Sequence, residues 1–160
     1  MPAPLDVKTP NDFDVVCTRV FEAPRALVFD AHTKPALVKR WPLGPPGWSM
    51  PVCEIDLKPG GRFRYTWRND ERGDSFTLNG TFREIAAPER VVHTEAFEGV
   101  EMPGALVTTV FAEAAGRTTM TLTISYASRA LRDAALATGM TGGMEMSYDR
   151  LDGVLGDTTA

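Results

Sequence analysis

The seven residues RFRYTWR, Arg62 to Arg68, decide how the rest of the chain is read. Phe63, Tyr65 and Trp67 alternate with Arg62, Arg64, Thr66 and Arg68. Successive side chains of a strand point to opposite faces, so this order predicts a strand with one aromatic and one charged face. A sheet built from such strands is wet on one side and covered on the other. Phe76, Leu78, Gly80 and Phe82 repeat the alternation, as do Met120, Leu122, Ile124 and Tyr126. Candidate strands fall at 13–21, 52–57, 62–68, 75–85, 90–97, 105–113 and 117–126. Turn signals separate those from 52 onward: Pro59-Gly60-Gly61, Asn69 to Gly73, Ala86 to Glu89, Gly99 to Gly104 and Ala114 to Gly116. Links this short predict an antiparallel meander.

The covered side needs a cover, and the C-terminal region supplies one. At 100° per residue, Ala137, Met140, Met144, Tyr148, Leu151 and Leu155 share one stripe, while Glu145, Asp149 and Asp152 face away, so one amphipathic helix is expected over 128–155. Its glycines are unusual, because a helix-interior Gly costs about 0.5–1 kcal/mol relative to Ala. Two explanations compete for Gly139, Gly142 and Gly143. Either small residues let the helix lie close to a curved sheet, or they leave space for a ligand beside the adaptable Met140 and Met144.

Between the first two candidate strands, APRALVFDAHTKPALVKRW (23–41) has helical period. Pro24 suits a first turn, Leu27, Val28 and Ala31 share a face, and Thr33 caps a second short helix opened by Pro35. The following PLGPPGWSMP (42–51) is a loop, since its prolines remove donors and its glycines loosen the backbone. Residues 1–11 read as a flexible arm and 12–156 as a single domain.

With 43% hydrophobic and 24% charged residues in 160, the chain can bury one core. A net charge of −4 argues against nucleic-acid binding. The basic cluster Arg62, Arg64, Arg68 and Arg72 sits beside Asp70, Glu71 and Asp74, as a solvated hairpin would. No apolar run is long enough for membrane insertion and the N-terminus does not read as a signal, so a cytoplasmic protein is expected. Cys17 and Cys53 are then reduced thiols. They and His32 and His93 lack metal-site spacing, and no cofactor is expected. There is no nucleophile elbow, phosphate loop or dinucleotide fingerprint.

Five segments carry a resemblance: TRVFEAPRALVFDAHTKPALVKRW (18–41), MPVCEIDLKPGGRFRYTWR (50–68), NGTFREIAAPERVVHT (79–94), GRTTMTLTISY (116–126) and TGMTGGMEMSYDRLDGVL (138–155). In this order they resemble the SRPBCC proteins, the START and birch-pollen-allergen-like superfamily, and within it the activator of heat-shock protein 90 ATPase homologue family. The resemblance implies an α+β helix-grip fold: a curved antiparallel sheet of six or seven strands around a long C-terminal helix, with two short helices after the first strand. It also implies an internal cavity, where superfamily members hold lipids, sterols or polyketides. Trp41, Phe63, Tyr65, Trp67, Phe76, Leu78, His93, Glu95, Met140, Met144 and Tyr148 are the expected ligand-binding residues.

The chain departs from the family where it has Met144 in place of a common Trp and Pro42 in place of an aromatic residue. On this reading Gly139 and Gly143 bring the helix close to the sheet while Met140 and Met144 border a void. His93 and Glu95 stand where aromatic residues are usual, and would form a polar spot in an apolar pocket. In the other register Val92, Thr94 and Ala96 face inward instead. The function expected is binding of a small apolar or amphipathic molecule, with no catalytic residue assigned. The alternatives are a cyclase or dehydratase using the same cavity, and a co-chaperone contacting heat-shock protein 90.

Overall fold

The structure, a computed structural model, describes residues 3–159. A short strand β1 (Asp6–Lys8) precedes β2 (Asp14–Phe21), and two helices follow, α1 (Arg25–Thr33) and α2 (Pro35–Val38). Six strands form the meander: β3 (Trp48–Ile55), β4 (Arg62–Asn69), β5 (Ser75–Ala86), β6 (Arg90–Phe97), β7 (Ala105–Ala114) and β8 (Arg117–Ser125). Helices α3 (Arg129–Ala137) and α4 (Met140–Thr159) end the chain. The eight strands form one sheet in the order β1-β2-β8-β7-β6-β5-β4-β3, every pair antiparallel.

The strand count exceeds the expected six or seven because Asp6–Lys8, within the expected arm, pairs with Val16 to Thr18 as an edge strand. The opposite edge, β3, starts inside the expected loop. Its register shifts between Ser49 and Val52, where Pro51 has no N–H to give to a ladder.

Pairing fixes the inner face. Phe63, Tyr65 and Trp67 lie opposite Gly80, Leu78 and Phe76, and His93 lies opposite Phe82 and Val107. At Gly80 a Cβ would stand 1.7 Å from the Thr94 carbonyl oxygen and 2.6 Å from the Phe63 ring, so this glycine lets the ring lie on β5. Phe63, Phe82, Phe111 and Met120 of the sheet meet Trp41 and the Tyr148 and Leu151 stripe in a single buried core. The expected meeting of the helix stripe with the aromatic strand face is therefore seen.

Three expectations about the C-terminal region are corrected. The helix is not continuous over 128–155. Ser128 caps α3 by accepting from the Leu131 N–H at 3.1 Å, but Gly139 adopts φ 80°, a left-handed conformation that ends α3 and redirects the chain. Periodicity reports which face a residue occupies and is blind to this reversal of φ.

The glycines do not bring backbones together either. A Cβ on Gly139, Gly142 or Gly143 would meet nothing within 4 Å, so close packing of helix on sheet does not explain them.

Finally, Asp149 and Asp152 do not simply face solvent. Arg19, fully buried on β2, reaches across and gives Nη1 and Nη2 to Asp152 at 2.9 and 2.7 Å and Nη2 to Asp149 at 2.9 Å. A long side chain from the strand finds the flank of the helix, which a helical wheel treats as solvent. Burial opposes the Arg19 charge, and the hydrogen bonds and charges of Asp152 and Asp149 outweigh it, raising its pKa.

Candidate functional site: a groove under the C-terminal helices

The inner face of β4, β5 and β6 turns toward α4. Tyr65, Trp67, His93 and Glu95 of the sheet, Leu122 of β8, and Met140 and Met144 of α4 are all half-buried. Phe63, Leu78 and Tyr148 beneath them are buried. Together they make a half-buried, largely aromatic strip of the inner face beneath α4, the candidate groove.

The placed residues divide by role. Trp41 belongs to the core: it stacks on Tyr148 at 5.6 Å between ring centres and donates Nε1–H to the Ala31 carbonyl at 2.8 Å. Trp67 donates Nε1–H to the Pro42 carbonyl at 2.6 Å, which anchors the 42–47 loop to the groove rim. Phe76 is 44% exposed, stacked on Trp67 at 5.1 Å, and stands at the outer end. Phe97 and Trp48 continue this exposed aromatic rim at 5.9 and 5.4 Å from Phe76.

The register puts Val91, His93 and Glu95 on the inner face, opposite Thr109, Val107 and Ala105. His93 and Glu95 are hydrogen-bonded, Nε2 to Oε1, at 3.1 Å, with side chains 16% and 29% exposed. Because a carboxylate only accepts, this bond puts the ring proton on Nε2. Nδ1 is buried without a hydrogen-bond partner, and the ring stands edge-on to Phe63 at 5.1 Å.

Around this pair the ionisable groups stay neutral. Burial, then Cys53 and Glu95, push the Tyr65 hydroxyl up, and burial, then Cys17 and Glu95, do the same to Tyr148. Tyr126 is pushed up to about 12, by burial first and then Glu95. Burial raises the thiols of Cys17 and Cys53 to about 11, so neither is a thiolate at neutral pH. Tyr126 and Cys53 are groove residues missing from the expected set. The alternation that runs from Met120 to Tyr126 would have found the first, and pairing with Tyr65 reveals the second.

Tyr126 also locates the polar end. Its hydroxyl donates to Met140 Sδ at 3.5 Å, and it senses Glu95, so the polar end lies beneath the joint between α3 and α4. A separate depression among Glu54, Arg62, Arg64, Asn79 and Glu98 opens on the charged outer face, where Arg64 already holds Glu98 at 2.8 Å. No helix among the described residues is long and apolar enough to cross a membrane.

A curved antiparallel sheet closed by C-terminal helices over an aromatic inner face defines a helix-grip protein of the SRPBCC superfamily. The chain belongs to the family described as Activator of Hsp90 ATPase homolog 1-like protein, whose pattern matches residues 22–156. Among solved structures it is similar to a Rhodobacter sphaeroides protein, with 27% identity over 96% of this chain and 99% of that one, at a TM-score of 0.90. A Staphylococcus epidermidis protein shares 25% identity, with 95% and 94% covered and a TM-score of 0.82. Protein Ms6760 from Mycobacterium smegmatis, at 24% identity, 95% and 97% coverage and a TM-score of 0.85, shares the fold. No curated protein matches the chain.

Proposed function

We propose that this protein binds a small amphipathic molecule in the groove, its apolar body over Phe63, Tyr65, Trp67 and Met144 and its polar end at His93 and Glu95. The observation that carries this reading is the His93–Glu95 pair. Ionisable side chains on an otherwise aromatic inner face are costly unless they serve a partner, and a few polar groups in an apolar site are how such sites orient ligands. The half-buried Met140 and Met144, adaptable side chains above the aromatic strip, support it. Contact with heat-shock protein 90, which the family description brings to mind, has less support, because this chain's distinguishing groups lie on its inner face.

The same pair contains a proton donor and an acceptor, so cyclase or dehydratase chemistry is the second reading. Native mass spectrometry of freshly purified protein, followed by analysis of the released molecule, tests both. A retained small molecule is the expected result for binding, and its conversion during incubation marks catalysis. Met144→Trp, which fills the groove, is expected to weaken an apolar fluorescent probe at least several-fold while leaving the melting temperature close to wild type. A large loss of stability would mean the space was already full, and would overturn the proposal.

A further inference from the structure

We propose that the groove selects an amphiphile with a cationic head, a protonated amine or quaternary ammonium seated on Glu95. This inference rests on the groove being a ligand site and names the class of ligand.

Glu95 Oε1 takes the His93 proton donor, while Oε2 receives no hydrogen bond from any described residue. A half-buried carboxylate with one oxygen left without a donor is poorly served by water and favours a partner that supplies one. The two buried arginines are committed elsewhere. Arg19 is held by Asp149 and Asp152. Arg132 gives Nη1 to the carbonyls of Asn11 and Asp14 and Nε to Asp133.

The surroundings fit a cation as well. The Tyr65, Tyr126 and Tyr148 hydroxyls all feel the Glu95 charge and all stay protonated, so they contribute lone pairs and no countercharge. Phe63 and Tyr65 lie tilted with centres 5.0 Å apart, and Trp67 meets Tyr65 edge-on at 5.9 Å, so aromatic rings, which attract cations over their faces, surround the approach. A carboxylate or phosphate head would meet Glu95 with like charge.

The test uses three probes with one tail, octylamine, octanol and octanoate, each below its micelle concentration, titrated at pH 8 into the full chain and read by tryptophan fluorescence and calorimetry. Octylamine is expected to bind at least about tenfold more tightly than octanoate, with octanol between. Glu95→Gln is expected to remove that order while leaving octanol binding unchanged. Equal or tighter binding of octanoate by the native protein overturns the cationic-head assignment and leaves the groove itself standing. Failure of all three probes overturns the groove and this inference together. Persistence of the amine preference in a folded Glu95→Gln protein overturns the role of Glu95.

Discussion

Arg19 and Asp152 tie the first long strand to the last helix: the guanidinium, 1% exposed, gives two parallel hydrogen bonds of 2.9 and 2.7 Å to a carboxylate 133 residues away. A bidentate pair fixes direction as well as distance, so it sets the rotation of α4 above the sheet. That rotation in turn decides which helix residues overlook the groove.

Breaking this clamp from the acidic side leaves a buried guanidinium short of partners. Asp152→Asn is expected to cost about 2 kcal/mol, below the range for fully buried pairs because Asp152 is 37% exposed and Asp149 remains in place. Arg19→Met, which removes the charge and keeps an apolar stem beside Phe21, is expected to cost less than the Asp149→Asn, Asp152→Asn double substitution. Urea unfolding monitored by far-ultraviolet circular dichroism measures both.

His32 makes the fold sensitive to acid. Its Nδ1–H donates to the Val28 carbonyl at 2.7 Å, its Nε2 is buried without a partner, and its ring lies 4.9 and 5.0 Å from Trp41 and Phe111. Burial lowers its pKa from 6.5 to about 4. Between these values the unfolded chain binds the extra proton and the folded chain does not, so stability falls as pH drops from 6.5 toward 4. The loss from this one group is on the order of 3 kcal/mol. Melting temperatures across this window are expected to fall less steeply in His32→Gln.

Two glycines of the C-terminal region respond oppositely to alanine. Gly153→Ala, in the middle of α4 with nothing within 4 Å of the new Cβ, is expected to stabilise by about 0.5–1 kcal/mol. Gly139→Ala has equal space but must adopt φ 80°, and is expected to destabilise by about 1 kcal/mol. Thermal denaturation of the two variants distinguishes backbone conformation from crowding.

Gly80→Ala tests close approach. A Cβ there would meet the Thr94 carbonyl oxygen at 1.7 Å, and a backbone oxygen in the ladder cannot swing away as a side chain can. A loss of about 3 kcal/mol or more is expected, with the Phe63 ring displaced from the groove floor. Chemical denaturation, with near-ultraviolet circular dichroism reporting the aromatic packing, checks it.

Much of this architecture is local and therefore legible in order of residues alone. The alternation of Phe63, Tyr65 and Trp67 assigned a strand and its inner face, because a strand's period does not depend on its neighbours. Ser128 marked the start of a helix and Pro35 the start of another for similarly local reasons. Tertiary structure alone decided the rest. Whether Gly139 continues a helix or reverses φ depends on where α4 must lie, and Met140 and Tyr148 keep their stripe either way. Asp149 and Asp152 became partners of Arg19 through a contact spanning most of the chain, which no periodicity encodes. Glu95 is the same residue on either face of a strand. Its second carboxylate oxygen lacks a donor because folding placed it on the inner face and engaged Arg19 and Arg132 with other groups.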